Sequence, residues 1–230
     1  MKFGLAAALA AVVLLAGGCA TPPQPPIPLS DSTLKSPGAR IGVAMSPLPK
    51  VDTHLPGASC LLCYAAAAVA NSSLTSHAGT LPLEDLPKLK ADAAAALRKK
   101  GLEVVVIEED VKIEDLPAFS SQQPNTARKN FSSLRDKYKL DKLLVIDITT
   151  LGFQRTYSAY IPTGDPKGIL RGSGYIVNLQ THALEWYQPV EILKSAEGKW
   201  DEPPKFPGLS NAYFQALELG RDSFVKPLGQ

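Results

Sequence analysis

Residues 142–187 limit the fold more than any other stretch. The run Leu143-Leu144-Val145-Ile146-Asp147-Ile148-Thr149-Thr150 opens on unbroken apolar residues and closes on β-branched ones. That is the pattern of a strand buried on both faces inside a sheet. Such a strand needs neighbours. Ser173-Gly174-Tyr175-Ile176-Val177-Asn178-Leu179 and Leu184-Glu185-Trp186-Tyr187 supply them, joined by the short turn Gln180-Thr181-His182-Ala183, and together they read as an antiparallel hairpin.

The rest of the chain offers cover for that sheet. Arg40-Ile41-Gly42-Val43-Ala44-Met45 is a short strand stopped by Pro47 and Pro49. Ser59 is placed to cap a helix running through Cys60-Leu61-Leu62-Cys63-Tyr64 and an alanine run to Asn71. Leu86, Leu89, Ala93, Ala96 and Leu97 recur at helical spacing, with Arg98-Lys99-Lys100 in the last turn and Gly101 as the stop. Val104-Val105-Val106-Ile107 is a second buried strand, and the acidic residues after it a solvated connection. Phe131, Leu134 and Tyr138 mark a third helix. Residues 153–168 read as a strand extension and a long exposed loop, and residues 200–208 as irregular. Ser210 caps a last helix carrying Tyr213, Phe214, Leu217, Phe224 and Val225. The expected fold is α/β (α+β): one domain over residues 40–230, with a mixed sheet of about five strands, a C-terminal antiparallel hairpin and helices packed on it.

The first 39 residues are of another kind. Met1-Lys2 is a positive start, residues 5–15 are apolar but short of the roughly 20 a membrane span needs, and Leu15-Ala16-Gly17-Gly18-Cys19 closes the run. This ending resembles a bacterial lipobox. It implies a signal peptide over residues 1–18, a lipidated Cys19 bearing diacylglycerol and palmitate-type chains, and a membrane anchor. Ala20 after the cysteine implies sorting to the outer membrane, on its periplasmic face. Residues 19–39 then carry Pro22, Pro23, Pro25, Pro26, Pro28 and Pro37. They read as an extended tether at about 3.1 Å per residue, or as an arm lying on the domain.

Chemistry is sparse. A formal net charge of +2 gives no nucleic-acid footprint. The chain has no nucleophile elbow, phosphate loop or zinc-protease helix, and the Glu108-Glu109-Asp110 cluster lacks the ligand spacing of a calcium loop. Cys60 and Cys63 leave three readings open: a local disulfide, two buried small residues, or a redox pair activated by the helix start. Adding His54 and His77 would make a tetrahedral metal set with unusual spacing, so no metal is expected. Phe153, Tyr157, Tyr160 and Ile161 gather near the proline-glycine loop and form a candidate interaction surface.

The run Tyr138-Lys139-Leu140-Asp141-Lys142-Leu143-Leu144-Val145, followed by Tyr175-Ile176-Val177-Asn178-Leu179-Gln180-Thr181-His182-Ala183-Leu184-Glu185-Trp186, resembles the second half of periplasmic domains of the TolB amino-terminal, LpoB and CsgG type. Asn178 stands where those carry Asp, and His182 where they carry Gly, which calls for a left-handed residue. The resemblance spans residues 40–190 and implies a structural or interaction protein, with no catalytic residue carried over. The expectation is therefore a non-enzymatic, outer-membrane-anchored periplasmic lipoprotein, an interaction or assembly module without a cofactor. Its partners would be the membrane, an unidentified envelope protein and its own copies, with no nucleic acid. Two alternatives stand beside it: a thiol-disulfide oxidoreductase using Cys60 and Cys63, and an oligomeric secretion or assembly scaffold.

Overall fold

The computed structural model describes residues 23–34 and 38–229. The strands are β1 (Arg40–Met45), β2 (Asp52–His54), β3 (Glu103–Val106), β4 (Lys142–Gln154), β5 (Tyr157–Ser158), β6 (Ile161–Pro162), β7 (Lys167–Asn178) and β8 (Leu184–Ser195). The helices are α1 (Asp31–Leu34), α2 (Leu61–Ala70), α3 (Ser72–Ala78), α4 (Leu89–Lys99), α5 (Ser132–Tyr138) and α6 (Pro207–Gly229). The main sheet runs β3-β1-β4-β7-β8, parallel over its first three strands and antiparallel from β4 onward. This is the expected mixed sheet, with the apolar run of the sequence at its centre.

β4 is long enough to hold two partners along one edge. β1 pairs with Lys142 to Ile146, and β2 resumes the lane against Gly152 to Gln154. The interval between them contains Pro47 and Pro49, which have no N–H to donate to a ladder. On the other edge, the register of β4 and β7 shifts between Ile148 and Thr150. The bulge changes which parity faces which core. Leu144, Ile146 and Ile148 lie in the larger core beneath α4 and α6, and beyond the bulge Leu151 and Phe153 take over that face. Leu143 and Val145 face a second core with Phe131 and Leu134.

α6 closes the larger core by burying Leu209, Tyr213, Ala216, Leu217, Phe224 and Leu228 at helical spacing. Each large side chain so buried contributes about 1.5–3 kcal/mol. The helix backbone comes so near the sheet that a Cβ at Gly168 would lie 2.6 Å from the Ala212 carbonyl. Glycine weakens a strand signal in sequence, so residues 167 and 168 read as loop and 169–172 as no element, although all are strand. Four further elements go beyond the sequence reading: α1, β2, α3 and the small β5–β6 hairpin.

The tether reading needs correction. Residues 23–34 lie on the domain: the Ile27 N–H donates to the Tyr187 carbonyl at 2.8 Å, and the Tyr187 N–H returns a bond to Ile27 at 3.1 Å. Gln24 Nε2 reaches Asn125 Oδ1 at 2.9 Å. Thr33 and Leu34 are buried, and Lys142 Nζ donates to the Thr33 carbonyl at 3.0 Å. The physical reason is the free outer edge of β8, whose backbone groups take a partner from the arm. The ordered body therefore begins well before Arg40. The signal peptide and Cys19 lie outside the described residues, as do positions 20–22 and 35–37.

Candidate functional site

Residues 53–83 contain no Asp, Glu, Lys or Arg, and neither do residues 156–164. The fold brings these two stretches together at the C-terminal end of β4. α2 has no polar face: its sequence is LLCYAAAAVA, and its buried residues are Cys63 and Ala67. Leu61 is 86% exposed, Leu62 81%, Tyr64 54% and Val69 76%, while Tyr160 and Ile161 on the β5–β6 hairpin stand 67% and 59% exposed. These six are among eight large hydrophobics left exposed in the described residues. Most of the exposed large hydrophobics thus belong to these two stretches, which makes them a candidate contact site.

The cap is built to hold that surface still. Gly57 turns at φ +88°, and a Cβ there would fall 1.9 Å from the Tyr157 carbonyl oxygen. That close approach lets the Tyr157 N–H donate to Pro56 and the Ala159 N–H to Gly57, at 2.8 and 3.2 Å, docking the hairpin on the loop before α2. Asn71, 2% exposed, joins the pieces at the other end of the helix. Its Nδ2 donates to the Ala67 carbonyl at 2.7 Å and meets Tyr157 Oη at 2.6 Å, and its Oδ1 accepts from Arg155 Nη1 at 3.2 Å. The Arg155 guanidinium also stacks 4.9 Å from the Trp200 ring centre. Leu55, Ala58, Cys63, Ala67 and Tyr157 make a small core beneath.

Cys60 and Cys63 are joined by a disulfide across the first turn of α2. Cys60, not Ser59, is the N-cap, and its Sγ accepts the Cys63 N–H at 2.9 Å. Cys60 is exposed and Cys63 buried. The four residues of the metal set do not converge. His54 Nε2 bonds the Leu151 carbonyl at 3.1 Å, and His77 Nε2 bonds Ser210 Oγ at 2.7 Å. His77 also stacks on Phe153, and burial, then the Lys205 charge, holds its imidazole below the usual range. Among the described residues no three His, Cys, Asp or Glu side chains are grouped to hold a metal.

The four residues of the interaction surface read from sequence differ in exposure. Tyr160 and Ile161 are exposed, but Phe153 and Tyr157 are 0% and 7% exposed and belong to cores. The bulge in β4 turns Phe153 inward, and the Asn71 bond holds Tyr157 down. Leu61, Leu62, Tyr64 and Val69 were missed. The signal was present: a helix with no polar residue in ten positions has no face that prefers water. Elsewhere, a 440 Å³ cleft lies between α6 and the turn before α4, lined by Glu84, Asp85, Phe214 and Arg221. Its Arg221 is committed to Asp92 at 2.6 Å.

No family model matches this chain, and no curated protein matches it in sequence. Among solved structures, it is similar to the PelC dodecamer from Paraburkholderia phytofirmans, at 11% identity over 90% of this chain and 93% of that one, with a TM-score of 0.33. It is also similar to protein XCC0632 from Xanthomonas campestris, at 10% identity over 89% and 92% with a TM-score of 0.37. Lipoprotein GNA1162 from Neisseria meningitidis aligns at 15% identity over 79% and 96%, with a TM-score of 0.28. Likeness at this distance carries nothing about function, which rests on the residues themselves. No helix among the described residues is long and apolar enough to cross a membrane.

Proposed function

We propose that this chain is a lipoprotein anchored through Cys19 to the periplasmic face of the outer membrane, and that it works by contact rather than turnover. It is a non-enzymatic interaction or assembly module whose uncharged cap docks another component of the envelope. The observation that carries the reading is the helix Leu61–Ala70, apolar on every side and held rigid by Asn71 while its large side chains stay in water. Covering those side chains would contribute roughly 10 kcal/mol before the costs of association. The leader and Leu15-Ala16-Gly17-Gly18-Cys19 supply the address.

Two measurements test it. Cys19→Ala should move the folded protein from the membrane fraction to the soluble periplasm; continued membrane fractionation would refute the anchor. The exposed Cys60 at a helix start keeps the oxidoreductase reading in view. Insulin-reduction turnover by the purified protein, lost in Cys60→Ser, would overturn the non-enzymatic reading; no turnover above the uncatalysed rate is expected.

A further inference from the structure

The two ends of the molecule have different tasks. The described part of the arm begins at Pro23, beside Asn125, whose carbonyl accepts the Leu184 N–H. Leu184 is in register with Val177, and Val177 with Leu143, at the start of β4. The uncharged cap sits past Gln154, at the other end of the same strand. From Leu143 to Gln154 the strand rises about 35 Å. Cys19 is four residues from Pro23, a reach of at most about 14 Å. A bilayer holding Cys19 therefore meets the arm end, and the cap stands away from it.

We infer that the cap of one copy is covered by the cap of a second copy anchored in the same membrane. This rests on the anchored-module reading above. Confinement, symmetry and the make-up of the patch favour that occupant. Copies held by the same short segment present their caps at one height, and confinement to a surface raises their effective concentration. A two-fold axis relates the same patch on both copies and brings identical surfaces face to face. Identical patches tolerate this because residues 53–83 and 156–164 bring no like charges together. The size is compatible: at about 200 Å² for a fully exposed large side chain, the six exposed residues present at most roughly 800 Å², comparable to one partner's share of a standard interface. Ala65, Ala66 and Ala70, exposed between them, let two helix backbones approach closely.

The test uses the full-length chain in native membranes, with two differently tagged copies and a photo-crosslinking residue at Leu62 or Val69. The expected result is a covalent adduct joining the two tags, absent when the crosslinker is moved to exposed Lys139 at the arm end. Leu62→Lys, or Val69→Lys should the first misfold, should weaken the adduct from the other cap position at least tenfold while circular dichroism stays unchanged. Adducts with lipid alone, with a different protein alone, or no adduct at all would overturn the pairing. Fractionation is read in parallel. Missing self-adducts in a membrane-bound protein sink the pairing alone, and self-adducts in a soluble wild-type protein sink the anchor alone.

Discussion

Asn178 shows how one atom decides a residue's identity. Its Oδ1 accepts the N–H groups of Gln180 and Thr181 at 3.1 and 3.2 Å, a task that a carboxylate performs equally well. Its Nδ2, however, donates to Glu185 at 3.0 Å, and Glu185 in turn pairs with the buried Lys142 at 2.7 Å. An Asp there would set two carboxylates against each other, so the amide follows from Glu185. Four residues on, His182 adopts φ +61°, the left-handed conformation its place in the turn demands. His77 is where pH should act. Burial, with the Lys205 charge behind it, favours the neutral ring, so the folded chain holds that proton less readily than an unfolded chain titrating near 6.5. Its contribution is complete above that value and is lost as pH falls below it. Urea midpoints should therefore drop from pH 7.5 to pH 5.5, and His77→Gln, which can still donate to Ser210, should flatten the difference.

At the scale of elements, the cap depends on one backbone contact. The φ of +88° at Gly57 disfavours any side chain, and a methyl group would drive the loop from the Tyr157 carbonyl. Gly57→Ala should cost about 2 kcal/mol through strain and the loss of the Pro56 bond. The β5–β6 hairpin should loosen first, read as faster amide exchange at Tyr157 and Ala159 with β4 still protected. The strands show why boundaries were harder to read than kinds of element. Leu143 to Ile148 announces a central strand because both faces are dry. Gly168 and Gly172 hide the first half of β7, since their purpose is to admit neighbouring backbone, a reason that lies outside the strand itself.

For the whole molecule, the arm joins what the linear order separates. Ile27 pairs with β8 and Leu34 enters the larger core. Ile27→Pro removes a donor without disturbing the extended geometry that Pro26 and Pro28 already impose. It should lower stability by about 1 kcal/mol and speed exchange of the Tyr187 N–H, with the soluble Cys19→Ala form as the sample. Unchanged exchange at Tyr187 would mean that the arm does not guard this edge.

The sequence by itself determined the mixed sheet, its central strand, the hairpin and the helical kind of most covering segments, because these follow from local periodicity and turn chemistry; the left-handed His182 was implied by the resemblance, in which a Gly holds that place. Tertiary structure alone decided that Phe153 turns inward, that Tyr157 is held by Asn71, and that α2 stays uncovered beside Tyr160 and Ile161. A bulge, a buried amide and the meeting of two uncharged segments across more than 80 positions are relations between distant residues. A side chain's exposure is set by what arrives from elsewhere in the chain, so an apolar helix reads as core until the fold leaves it nothing to lie against.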